Sequence, residues 1–160
     1  LQPGVPNAFG VMGFDANAPA PGKRPLSSMT PTFLVSDDRV AVLGTPGGSR
    51  IITMVLLGVL GYDAGLSAAD VAALPRYHHQ WMPDAIQAEA GTFDVATAQA
   101  LRAMGHTVVR PEDEVAEGRR SSDAWGNFQT VAWDIAGNRM EAGTDPRNPV
   151  GKAEVRTTGP

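Results

Sequence analysis

Gly44-Thr45-Pro46-Gly47-Gly48-Ser49-Arg50 lies between a β-branched run, Arg39 to Gly44, and the apolar run Ile51 to Leu60. This order predicts a strand, a tight glycine turn and a buried helix, with Gly61 and Gly65 as stop signals. Adjacent glycines let the backbone approach a ligand closely. Amides at a helix start have no partner within the helix, so the turn suits a carboxylate, a phosphate or an oxyanion. A turn that needs positive φ and binds nothing is the other reading of the same residues. Neither a spaced GxGxxG nor a Gly-Lys-Ser/Thr ending occurs, which favours an oxyanion or carboxylate over a nucleotide. No GxSxG elbow occurs either, so any nucleophile lies elsewhere.

Upstream, Thr32 to Val35 and Arg39 to Gly44 flank Ser36, Asp37 and Asp38, residues that favour turns, and predict a β-hairpin. Just before it, Pro25-Leu26-Ser27-Ser28-Met29 places two short hydroxyl donors side by side, able to converge on one carboxylate. Paired serines are also common in turns. Leu1 to Arg24 is rich in Pro and Gly without hydrophobic period, which predicts an extended loop. It opens with neither an initiator Met nor a charged-then-apolar signal, and further sequence is expected before Leu1.

Downstream, Ser67 and Asp70 fit a capping box for a helix that Pro75 ends. Arg76 to Pro83 reads as loop and Ile86 to Glu89 as an extended piece. Asp94 caps a helix with Val95, Ala98, Leu101 and Met104 on one face and Gly105 at its end, and Thr107 to Val109 follows as a strand. Phe128 to Trp133 and Arg139 to Ala142 predict a second hairpin across Gly137-Asn138, and residues 144–160 a polar surface tail. Hairpin, helices, strand, hairpin is an α+β order, favouring an antiparallel sheet covered by helices.

At 160 residues the chain is one domain or a piece of one, and its 18 glycines and 13 prolines, without period, predict long ordered loops. The net charge of −4, with no basic stripe carrying aromatics, excludes the electrostatic footprint of a nucleic-acid binder. Without cysteine there is no thiol catalysis or thiolate metal site, while the compartment stays open. The run Ile51 to Leu60 is too short to span a membrane. His78-His79 near Asp84 invites a metal, but adjacent side chains diverge and no third ligand sits at a recognised spacing, so neither metal nor cofactor is expected. Asp145-Pro146-Arg147 reads as a turn with a local ion pair.

Three segments in this order and spacing resemble the γ-glutamyltranspeptidases: Lys23-Arg24-Pro25-Leu26-Ser27-Ser28-Met29-Thr30-Pro31, Gly44 to Ile51, and Pro75-Arg76-Tyr77-His78-His79-Gln80-Trp81. The resemblance runs from Pro3 to about Arg147 and weakens through Glu112 to Gly126. It implies an N-terminal-nucleophile hydrolase fold, an αββα sandwich of which residues 1–160 would be the C-terminal portion. In that family, self-cleavage of a precursor exposes a threonine at the start of the small subunit. The threonine attacks a γ-glutamyl carbonyl, and the acyl group passes to water or to an amino acid or peptide.

Carried over residue by residue, the resemblance implies that Ser27 and Ser28 hold the substrate's α-carboxylate and that Gly47 and Gly48 form the oxyanion hole. It also implies a glutathione-like γ-glutamyl substrate, a large subunit from the same precursor as partner, and a periplasmic or secreted location. The family's nucleophilic threonine and the acidic segment that receives the substrate's α-amino group have no counterpart here. The clamp's arginine belongs to the large subunit, so Arg50 receives no such role. A related amidohydrolase or cephalosporin-type acylase is an alternative, against which retention of both serines counts. A non-catalytic interaction module is another.

Overall fold

A computed structural model describes residues 3–5, 13–81, 83–110, 125–148 and 150–156. Parts of the expected N-terminal loop, the weakest stretch of the resemblance and the end of the expected tail lie outside the described residues.

The first predicted hairpin is present as β1 (Thr32–Val35) and β2 (Arg39–Gly44). Ser36 closes its turn: its Oγ donates to Asp38 Oδ1 at 2.6 Å and accepts from the Arg39 amide at 3.1 Å. After the glycine turn comes α1 (Ile51–Asp63), then α2 (Ala68–Ala73), β3 (Tyr77–His78), β4 (Ile86–Ala88), α3 (Val95–Ala103) and β5 (Val108–Val109). β6 (Gln129–Asp134) and β7 (Arg139–Thr144) form the second hairpin. Both predicted caps are made: Ser67 Oγ accepts from the Asp70 amide at 3.2 Å, and Asp94 Oδ1 from the Thr97 amide at 2.7 Å.

The two hairpins join into one antiparallel sheet in the order β1-β2-β6-β7. Its register pairs Ala41 with Ala132 and Leu43 with Thr130. Because side chains alternate across a strand, this sets Ala41, Leu43, Thr130 and Ala132 on one buried face. α1 and α2 cover that face through Ile51, Val55, Tyr62, Val71 and Ala72, with Phe128 completing the core. Each fully buried large aliphatic or aromatic side chain in such a layer contributes roughly 1.5–3 kcal/mol. The opposite face exposes Phe33, Val35, Val42, Val131, Trp133 and Met140. The sheet is therefore covered by helices on one side only among the described residues.

Three expectations need correction. The helix expected at Ile51 to Leu60 runs on to Asp63, because Gly61 lies inside, with Val71 and Leu74 where a side chain would project, and the chain turns out only at Gly65, φ +82°. Nor is it buried all round: Ile52, Leu56 and Leu60, one turn apart, are 60%, 54% and 52% exposed. The loop expected at Arg76 to Pro83 contains β3, which pairs antiparallel with β4, while β4 pairs parallel with β5 in a small separate sheet. Finally, Asp145, expected in a surface tail, is fully buried. The buried Arg76 guanidinium draws it in: Nη1 lies 2.8 Å from Asp145 Oδ2.

Candidate functional site

Ser28 and Gly48, 20 residues apart in sequence, meet in space. Ser28 Oγ donates to the Gly48 carbonyl at 2.7 Å. Ser27 Oγ accepts from the Met29 amide at 3.1 Å, which leaves its own O–H available to donate. Thr30 Oγ1 donates to the Ser28 carbonyl at 2.9 Å and Thr32 Oγ1 to the Thr30 carbonyl at 3.0 Å, so a chain of hydroxyl bonds ties the serines to the start of β1. Ser27 is exposed and Ser28 half-buried.

The turn has the backbone geometry its glycines predict. Gly47 has φ +148° and Gly48 φ +60°, both in the region that side chains disfavour. A Cβ on Gly47 would also fall on Met54 Cε. From Gly48 the chain makes a short 3-10 turn, Gly48–Arg50, that runs directly into α1. Among the described residues the Gly47 and Gly48 amides have no hydrogen-bond acceptor. Two amides without an acceptor among the described residues, at the positive end of a 13-residue helix, are chemically suited to an anion, and the Ser28 hydroxyl reaches the carbonyl of the second.

Behind this turn, Arg50 is engaged inside the chain: Nε and Nη2 donate to Gln87 Oε1 at 3.0 and 2.5 Å, and its guanidinium faces the Trp125 ring at 5.7 Å. The two histidines turn to different partners. His78 is buried, with Nδ1 2.8 Å from Thr53 Oγ1 on α1 and Nε2 2.8 Å from Gln80 Oε1. Burial depresses its pKa below the ordinary 6.5, so it is neutral near pH 7. His79 lies 3.1 Å from the exposed Asp84. Among the described residues no three His, Asp or Glu side chains are grouped to hold a metal ion.

A second polar group was legible only in part. The local pair between Asp145 and Arg147 is present, with Arg147 Nη1 3.0 Å from Asp145 Oδ1. It belongs to a larger network in which Arg147 also forks onto both Glu89 oxygens at 2.5 Å and Asp145 Oδ2 accepts the Phe128 amide at 2.9 Å. Arg76 Nη1 donates to the Trp125 carbonyl and Nη2 to the Ala72 carbonyl at 3.1 Å. Burial alone would raise the Asp145 carboxyl, but the Phe128 and Arg147 amides and the Arg76 charge hold it below its ordinary value. The signal available in the sequence was an Arg at the head of the Arg76 to Trp81 motif and an Asp-Pro-Arg near the end. Nothing in their spacing showed that they pair.

Comparison with known proteins identifies the family of the chain. The family model for Gamma-glutamyltranspeptidase matches residues 1–155. A glutathione hydrolase proenzyme of Escherichia coli (strain K12) is 50% identical over 149 residues, which are 92% of this chain and 23% of that protein. Among solved structures, a γ-glutamyltranspeptidase from Pseudomonas nitroreducens complexed with L-DON is 39% identical with a TM-score of 0.74, over 98% of this chain and 77% of that one. A mutant γ-glutamyltranspeptidase from Helicobacter pylori is 34% identical with a TM-score of 0.76, over 92% and 76%. The chain spans about a quarter of the length of the curated relatives it matches. Its α+β architecture is that of the N-terminal-nucleophile hydrolases. With the family model covering nearly the whole chain and half the residues shared with a curated relative, the chain belongs to the γ-glutamyltranspeptidase family.

Proposed function

We propose that this chain supplies the substrate-holding and oxyanion-stabilising half of an active site for γ-glutamyl acyl transfer and hydrolysis. The observation that carries the reading is the Ser28–Gly48 hydrogen bond, which joins the serine segment to the glycine turn whose amides have no acceptor among the described residues. Ser27 donates its hydroxyl proton to the substrate's α-carboxylate, and Ser28 turns from the Gly48 carbonyl to the same group. The γ-carbonyl oxygen, negative in the tetrahedral intermediate, is received by the Gly47 and Gly48 amides. The nucleophile is a threonine outside this chain, whose hydroxyl oxygen attacks the γ-carbonyl carbon. Collapse of the intermediate expels the amine, which leaves with the proton given up by the threonine hydroxyl, and water or an amino-acid acceptor then takes the acyl group and frees the threonine.

On this reading residues 1–160 are the C-terminal portion of one αββα domain, active only with the rest of the small subunit and a large subunit. The apolar outer face of the sheet and the Ile52, Leu56 and Leu60 stripe support it, since both suit packing against further layers. Among the described residues no helix is long and apolar enough to cross a membrane. A periplasmic or secreted location and glutathione-like substrates are part of the same proposal.

The test varies the α-carboxylate. In the complete enzyme, Ser27→Ala and Ser28→Ala are each expected to raise KM for a γ-glutamyl anilide by about 10- to 100-fold, the value of a hydrogen bond to a charged group. Turnover of a 4-aminobutanoyl anilide, which lacks that carboxylate, stays at the parent level. Equal losses on both substrates would refute the clamp.

A further inference from the structure

We propose that Thr45, braced by Gly126 and Asn127, is a positioning residue that sets where the Gly47 and Gly48 amides point. The proposal rests on the oxyanion reading above. An oxyanion site made of backbone amides has no side chain of its own to orient it, so its direction comes from whatever holds the turn. Thr45 is that hold. Its Oγ1 donates to the Pro46 carbonyl at 2.8 Å, on the peptide that leads into Gly47, and accepts from the Asn127 amide at 3.2 Å. One hydroxyl thereby joins the turn to the segment before β6.

Gly126 makes the approach possible. It has φ +70°, and a Cβ there would fall on the Pro46 carbonyl oxygen and against Thr45 Oγ1. Its own Cα lies 3.9 Å from where a Gly47 side chain would begin. The segment is anchored away from the turn as well, through the Trp125 carbonyl on Arg76 and the Phe128 amide on Asp145. Residues 125–128 thus form a fixed wall, and Thr45 latches the glycine turn to it.

The test compares Thr45→Val, which keeps the shape and removes the hydroxyl, with Thr45→Ser, which keeps the hydroxyl. Both are assayed in the complete processed enzyme on a γ-glutamyl anilide, with Gly48→Val alongside. Thr45→Val is expected to lower kcat about tenfold while KM stays within about twofold, because the serine clamp is untouched and only transition-state alignment is lost. Thr45→Ser restores kcat to within about twofold of the parent. An unchanged kcat in Thr45→Val beside a disabled Gly48→Val overturns the latch and leaves the oxyanion reading standing. Unchanged kcat in both overturns the oxyanion reading itself. Thr45→Ala gives the same split of kcat from KM, and loss of the fold in both Thr45→Val and Thr45→Ala would assign Thr45 to folding and overturn the proposal.

Discussion

Asp145→Asn is expected to destabilise the protein by about 3–5 kcal/mol, the cost of removing one partner from a buried ion pair and leaving the other uncompensated. Arg76 is 3% exposed and Asp145 fully buried, so no water is at hand to replace the carboxylate. The substitution also weakens the acceptor for the Phe128 and Arg147 amides, while the Arg76 bonds to the Trp125 and Ala72 carbonyls remain. Melting of the parent and variant enzymes measures the loss, and a difference below about 1 kcal/mol would show that the pair behaves like a surface one. The pH dependence provides a second reading. The Asp145 carboxyl is held below its ordinary 3.8, so it contributes stability that is present above that pH and lost as pH falls through the folded pKa. The variant should lack that part of the acid transition.

Gly48→Val is expected to lower kcat by about 10²- to 10³-fold, the effect of losing one oxyanion donor. Valine is strained at φ +60°, so the turn rotates toward negative φ and takes the Gly48 amide off the carbonyl oxygen. KM for a γ-glutamyl anilide should change less, because ground-state binding rests on the serines. Asparagine tolerates this region of backbone far better, so Gly48→Asn should retain more activity than Gly48→Val. Equal activity of both variants and the parent would make the turn purely structural.

Local chemistry was the most legible level of this fold. Ser36-Asp37-Asp38 and Gly137-Asn138 marked both hairpins, and the Ser67 and Asp94 caps marked two helix starts, because each signal acts within four residues. What depends on distant partners was hidden. Asp145 looked like a tail residue because the arginine that buries it lies 69 positions earlier. β3 passed for loop because a two-residue strand has no period, and pairing with β4 alone defines it. α1 read as buried throughout because apolar residues ring it, while its covered face is decided by the sheet it meets.

The site divides in the same way. Residue type gave Gly47 and Gly48 as a turn that suits an anion or binds nothing, and the motif order added the proposed oxyanion role. The serine pair gained its meaning from the motif order, and then from the hydrogen bond that joins it to Gly48. Thr45 and Gly126 were missed: a threonine before a proline and a lone glycine in the weakest stretch of the resemblance carry no signal until the chain brings them together.

The most direct measurement is a crystal structure of the complete enzyme trapped as its γ-glutamyl acyl adduct. The acyl carbonyl oxygen is expected at about 2.7–3.1 Å from the Gly47 and Gly48 amide nitrogens, with the α-carboxylate on the Ser27 and Ser28 hydroxyls. An acyl oxygen held by other donors, with the glycine amides facing away, would contradict it.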